Sequence, residues 1–236
     1  MKTALISGGT GKLGNHISKF LAQNGYNLII IYNASEEKKE KLAEELQNFN
    51  VKFNFIKADL TKHKEIKFVF EIIRKEFGSL NVLINAAAIF NKKSIFEITE
   101  QDWNEVIDLN LKASFFLAKY SYELMGQGSV IINFSSVGGF IPWKDRSLYF
   151  ISKNGINALT KTLALEFAPR VRVNAIAPGY IELENNQIQE MMPLDKIPLR
   201  KYCKIGNVIQ TIDFILKNDI LTGVVIPLDG GRVLLQ

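Results

Sequence analysis

The segment Thr3-Ala4-Leu5-Ile6-Ser7-Gly8-Gly9-Thr10-Gly11-Lys12-Leu13-Gly14-Asn15-His16-Ile17 passes from a short apolar run through four glycines into a helical pattern. Three apolar residues in a row followed at once by glycines read as a buried strand that turns sharply into a helix. Gly9, Gly11 and Gly14 stand in the order G-x-G-x-x-G. At such a turn the glycines let the backbone come close to a pyrophosphate, whose charge then lies at the N-terminus of the helix. Lys12 strengthens that expectation. A cation in the first helical turn opposes the helix dipole unless an anion comes near.

Outward from this turn the chain alternates strand and helix. Runs at 3–7, 28–32, 52–57, 82–85, 129–134, 171–176 and 223–227 read as strands, and the stretches near 13–24, 35–48, 62–77, 99–124, 147–167 and 206–217 carry helical patterns. Leu28-Ile29-Ile30-Ile31 and Val130-Ile131-Ile132 are continuously apolar, as strands covered on both faces of a parallel sheet must be. The expected fold is α/β: a single Rossmann domain over residues 1–236, its doubly wound, seven-stranded parallel sheet carrying helices on both faces. At 236 residues and 47% hydrophobic the chain can bury a large core without a second domain. A single cysteine, Cys203, excludes an internal disulfide, and His16 and His63 have no partners at metal-ligand spacing, so no metal site is expected. No apolar run approaches the ~20 residues of a membrane span, which predicts a soluble, cytoplasmic protein. The formal charge of +5 comes from lysines interleaved with glutamates, as in 36–46, and this excludes a nucleic-acid stripe while favouring an anionic small molecule.

Further along, the ends of successive strands supply polar and small residues. After the second strand, Tyr32-Asn33-Ala34-Ser35 lacks the acidic residue that would hold the ribose hydroxyls of NAD. With Lys12 and Ser35 nearby, NADPH is expected in preference to NADH. Asp59-Leu60 and Asn85-Ala86-Ala87-Ala88 follow the third and fourth strands, where an open sheet of this kind binds its ligand. Tyr149 and Lys153 are four apart on one helical face, so a phenol and an ammonium can meet. Such a pair makes a proton donor: the cation lowers the phenol from its ordinary ~10.

These motifs together resemble the short-chain dehydrogenase/reductase family over nearly the whole chain. The glycine turn, Asp59-Leu60, Asn85-Ala86-Ala87, Asn110-Leu111-Lys112-Ala113, Ser136 with Tyr149-x-x-x-Lys153, the run 174–179 and Thr222-Gly223 ahead of Asp229-Gly230-Gly231 carry the resemblance. It implies a catalytic tetrad of Asn110, Ser136, Tyr149 and Lys153. In it Tyr149 gives a proton, Ser136 polarises a carbonyl, Lys153 holds the nicotinamide ribose and Asn110 holds a water. It implies cofactor contacts at Gly8, Thr10, Gly11, Lys12, Leu13, Gly14, Asn33, Ser35, Asp59, Leu60, Asn85, Ala86, Ala87, Tyr149, Lys153, Pro178, Gly179 and Ile181. Within the family the chain is similar to the bacterial pteridine reductase branch, which has a basic residue where Lys12 stands and a pterin-stacking Phe where Phe90 stands. Two positions point elsewhere: Ser136 replaces that branch's Asp, as in 3-oxoacyl-carrier-protein reductases, and Ala34 replaces its Arg. The chain is expected to be pteridine reductase-like, reducing a pterin C=N, with a 3-oxoacyl-carrier-protein reductase-like ketone reductase as the alternative and a non-catalytic dinucleotide-binding regulator as an alternative of another class. Phe90, Trp143 and Tyr180 are the expected substrate residues, the last opening a short loop near 180–200 that could close as a lid, in which Leu183 replaces a usual Thr. The family implies a homodimer or homotetramer.

Overall fold

The computed structural model describes residues 1–182 and 192–235. The chain runs β1 (Thr3–Ser7), α1 (Lys12–Gln23), β2 (Asn27–Tyr32), α2 (Glu36–Leu46), β3 (Phe53–Lys57), α3 (His63–Glu76), β4 (Leu80–Asn85), α4 (Glu100–Ile107), α5 (Ala113–Leu124), β5 (Met125–Phe134), α6 (Ser147–Phe167), β6 (Val171–Pro178), β7 (Ile181–Glu182), β8 (Cys203–Lys204), α7 (Ile205–Lys217) and β9 (Val225–Leu228). Seven strands form one parallel sheet in the order β3-β2-β1-β4-β5-β6-β9. Its strands are buried on alternate faces under different helices. Leu5, Ile29, Ile31 and Leu83 pack with α3, α5 and α6 through Ile66, Phe70, Leu117 and Leu163. Ala4, Ile6, Leu28 and Ile30 pack with α1, α2 and α7 through Ile17, Leu21, Leu42 and Ile212. Two covered faces explain why these strands are apolar throughout instead of alternating, and each fully buried Leu or Ile contributes roughly 1.5–3 kcal/mol.

The seven expected strands are all present, with shifted ends. β4 begins at Leu80 and carries an irregularity between Leu80 and Val82; β5 begins four residues before the expected 129; β9 begins at Val225 instead of 223, after Gly223 at φ +75°. The expected helix 99–124 is three pieces. Thr99 and Asp102 form a reciprocal cap that starts α4, and residues Asp108–Lys112 then widen into a π-helical turn before α5. That turn holds Asn110, and π-turns of this kind mark sites where a helix is reshaped to aim a side chain. A second, two-stranded sheet of β7 and β8 was not foreseen, because two-residue strands leave no periodic signal.

The sheet order places β1 between β2 and β4, so the chain leaves β1 in one direction and returns later on its other side. Loops leave the carboxyl ends of those two neighbours on opposite sides and open a crevice between them. Of the loop near 180–200, residues 183–191, with Leu183, lie outside the described residues.

Candidate active site

The glycine turn is built for close approach. A side-chain carbon at Gly14 would lie 2.2 Å from the carbonyl oxygen of Gly8, and one at Gly9 would strike Ile30 at 2.6 Å. Gly8 has φ +68° and stands against the backbone of Ala87. The turn is thus pressed onto β2 on one side and the end of β4 on the other. Ser7 links the same two segments, since its hydroxyl accepts from the N–H groups of Ala86 and Ala87 at 3.1 and 3.2 Å. No side chain caps α1, and its first turn has no acid. Its N-terminal N–H groups therefore face outward toward the crevice without a protein partner from a capping side chain, as an anion-binding helix end requires.

In front of the turn lies a cleft of about 310 Å³. Of the expected cofactor residues, Gly8, Thr10, Gly11, Asn33, Ser35, Leu60, Ala86 and Ala87 line it. Gly14 lies behind it as packing, and Lys12, Leu13, Asp59 and Asn85 are not in its wall. Asp59 is engaged elsewhere: its carboxylate accepts from Thr61 Oγ1 at 2.7 Å and pairs with Lys62 at 3.1 Å, which holds it below the usual carboxylate range. Asn85 is buried, donating to Asn133 at 2.9 Å, and ties β4 to β5. Ser35 caps α2 by accepting from the N–H of Lys38. Lys38, exposed on the first turn of α2, lines the cleft and was not among the expected residues. Among the described residues the lining has no acid.

On the far side of the crevice, Ser136 and Tyr149 come together. Ser136 lies two residues past the end of β5 and opens a one-turn 3₁₀ helix, Val137–Gly139; its hydroxyl accepts from the Gly138 N–H at 3.0 Å and lies beside the Tyr149 phenol, whose charged form it favours. Gly138 and Gly139 allow this, for a side-chain carbon at Gly138 would lie 3.0 Å from the Tyr149 ring and one at Gly139 2.8 Å from the backbone of Lys153. Lys153 is buried one turn along α6 and donates to the carbonyl of Phe134 at 2.8 Å. Burial pulls its ammonium down to about 8. The phenol of Tyr149 is raised, not lowered as the spacing led us to expect. Burial outweighs the hydrogen bond from Ser136 and the charge of Arg146, while Lys153, 5.8 Å from the ring centroid, is turned toward Phe134.

Asn110 is buried on the π-turn. Its side-chain amide donates to Ile89 O and accepts from Ile89 N, both at 2.9 Å, and also donates to Ser152 Oγ at 3.1 Å. It therefore fastens the loop after β4 to α6. Phe90, next in that loop, stands edge-on to Tyr149 with ring centroids 5.0 Å apart. Trp143 and Tyr180 face each other at 6.5 Å, and Tyr180 is followed by Tyr202 at 6.4 Å. Pro178 ends β6, Gly179 follows it with its N–H donating to Leu228 O, and Ile181 begins β7; all three lie apart from the cleft that the glycine turn lines.

A family model described as short chain dehydrogenase matches residues 2–192. The chain is a short-chain dehydrogenase. It is an NAD(P)-dependent oxidoreductase of that family, and its relatives share its full length. A 3-oxoacyl-[acyl-carrier-protein] reductase FabG of Staphylococcus aureus strain N315 is 35% identical over 240 residues, 98% of this chain and 97% of the relative. The FabG of Thermotoga maritima is 33% identical across 99% and 98% of the two chains. Among solved structures, a putative short-chain alcohol dehydrogenase from Sinorhizobium meliloti superposes with a TM-score of 0.90 at 27% identity, covering 99% of this chain and 96% of that one. A short-chain dehydrogenase from Burkholderia cenocepacia in complex with NADP has the same fold, with a TM-score of 0.91 at 24% identity over 98% and 97% of the chains. In this short-chain dehydrogenase no helix among the described residues is long and apolar enough to cross a membrane, and no described group of His, Cys, Asp and Glu is placed to hold a metal ion.

Proposed function

We propose that this short-chain dehydrogenase is a cytoplasmic reductase of 3-oxoacyl compounds that uses NADPH, with Tyr149 as its proton donor. The observation that carries the reading is the hydroxyl pair of Ser136 and Tyr149, which meets without a carboxylate. Two neutral donors suit one carbonyl oxygen, whereas a pterin presents ring nitrogens that ask for a carboxyl group. The likeness to 3-oxoacyl reductases over the full chain supports the same choice. So does Phe90. One of its faces carries the guanidinium of Arg146 at 4.5 Å, so less of the ring is open for a stacked pterin than the resemblance implies.

Bound in the cleft, NADPH supplies the hydride. The glycine turn and the uncapped end of α1 hold its phosphates, and Lys38, with the Asn33 and Ser35 strand end, meets the extra phosphate that distinguishes it from NADH. Ser136 donates to the carbonyl oxygen and Tyr149 gives it a proton. Lys153, with a proton affinity close to neutrality, then restores the proton of Tyr149. Asn110 keeps the loop bearing Ile89 and Phe90 over this group.

The test is oxidation of NADPH by purified protein with an acetoacetyl thioester, diacetyl and dihydrobiopterin. Turnover of the carbonyl compounds with none of the pterin is expected; turnover of the pterin alone would return the chain to the pteridine reductases. Replacing Lys38 with Glu should lower kcat/KM for NADPH about tenfold or more and leave NADH nearly unchanged, since a charged hydrogen bond contributes roughly 1.5–3 kcal/mol. Assembly as a homodimer or homotetramer is part of the proposal.

A further inference from the structure

Arg146 stands just before α6, three residues ahead of Tyr149, and is half-buried. Its guanidinium lies over the ring of Phe90, 4.5 Å from the centroid, and that ring meets Tyr149 edge-on. Backbone bonds fix the arrangement: Arg146 N donates to Trp143 O at 3.2 Å, and Lys93 N donates to Asp145 O at 2.8 Å, joining the turn of Arg146 to the loop of Phe90. Asp145 takes φ +62° to make that turn, a left-handed conformation that a residue with a side chain holds only when its surroundings require it. Among the described residues Arg146 has no carboxylate within ion-pair distance and no acceptor for its side-chain N–H groups. Asp102, at the start of α4, is engaged by Lys93 at 2.6 Å and by Thr99.

A guanidinium held over an aromatic ring keeps N–H groups for an anion, and their fork geometry matches a carboxylate. Arg146 and the phenol of Tyr149 flank the same ring. An anion on Arg146 thus lies only a few bonds from a carbonyl held by Tyr149 and Ser136. We propose that Arg146 binds a carboxylate of the substrate, so that the site selects free 3-oxo acids over neutral 3-oxoacyl esters and thioesters. This rests on the carbonyl reductase reading above and narrows its substrate class. The charge of Arg146 also favours the phenolate of Tyr149, so filling the clamp with an anion leaves that hydroxyl a weaker acid while orienting the ketone toward it.

The experiment compares NADPH-dependent reduction of acetoacetate and of methyl acetoacetate by the wild-type protein, Arg146→Met and Arg146→Lys. Methionine keeps apolar contact with Phe90 and removes the charge; lysine keeps the charge without the fork. The wild type should favour the acid in kcat/KM by about tenfold or more, and Arg146→Met should lose at least about tenfold more on the acid than on the ester, mainly through KM, with Arg146→Lys between them. Equal use of acid and ester by the wild type overturns the proposal. So does an equal loss on both in Arg146→Met, which makes the residue a prop for Phe90. In either case the reductase reading stands as long as a neutral ketone is reduced. If the protein reduces no carbonyl compound at all, both readings fall.

Discussion

Lys153 is buried with a depressed proton affinity, about 8 against the 10.5 of a free lysine. The sign follows directly. Below pH 8 folded and unfolded chains both carry the charge and the fold bears the full burial penalty; between 8 and 10.5 the unfolded chain binds the extra proton, so stability rises with pH; above that the penalty is gone. At 1.36 kcal/mol for each tenfold change in proton affinity, the penalty reaches about 3 kcal/mol. Lys153→Met should therefore be inactive yet more stable than the wild type in urea at pH 7, and the difference should shrink toward pH 10.5. An equal difference at both pH values would mean the ammonium is not penalised. Tyr149→Phe removes the hydroxyl and keeps the ring against Phe90, and we expect turnover to fall by about 10² to 10⁴, the usual worth of a general acid, with NADPH binding retained in a fluorescence titration. That Tyr149 and Lys153 share one helix, a turn apart, was legible from their spacing of four, whereas Ser136 entered only through the family resemblance. The direction of the phenol's shift was not legible, because spacing tells which groups can meet but not which way an ammonium turns. Lys38 and Arg146 were missed for a related reason: single basic residues in a chain of scattered charges acquire meaning only when the fold brings them to a cleft or a ring.

At the scale of elements, the short 3₁₀ turn after β5 decides whether Ser136 and Tyr149 meet. Gly139 gives it room against the backbone of Lys153, and its carbonyl accepts from Asn154 and Asn157 on α6 at 3.0 and 3.1 Å. Gly139→Ala should push the turn off α6, lowering stability by roughly 1–3 kcal/mol through overpacking and cutting kcat more than KM. A variant with unchanged kcat would show that the turn yields without moving Ser136. Thr99→Ala removes the reciprocal cap of α4 and should cost about 1 kcal/mol in denaturant unfolding with little effect on activity. The long helices and the seven strands of the main sheet were readable from periodicity, while the two-residue β7 and β8 were not, nor was the break of the expected 99–124 helix, since a π-turn needs only one extra residue per turn and leaves the apolar pattern almost intact.

For the whole molecule, the doubly wound parallel class was implied by the alternation of strand and helix with right-handed crossovers, while the strand order β3-β2-β1-β4-β5-β6-β9 came from the structure. What the alternation did not reveal is which surfaces stay bare. Ile220, Val224, Leu234 and Leu235 are exposed near the β9 edge of the sheet, and Phe214 on α7 joins them. If that edge is covered by a second copy, light scattering should give at least a dimer, and Leu234→Asp with Leu235→Asp should shift it toward monomer; a monomeric wild type would reject the proposed assembly. The pairing of α1 with α7 bears on how the chain comes into being. Ile17 and Leu21 lean on Val208, Ile212 and Ile215, contributed by the last helix. At 5–20 residues per second, synthesis leaves on the order of ten seconds or more between the two. During that interval one flank of the growing sheet is greasy and uncovered, so a chain halted before Ile205 should bind a hydrophobic dye and succumb to protease where the finished one resists. The molecule closes only when its final helix arrives.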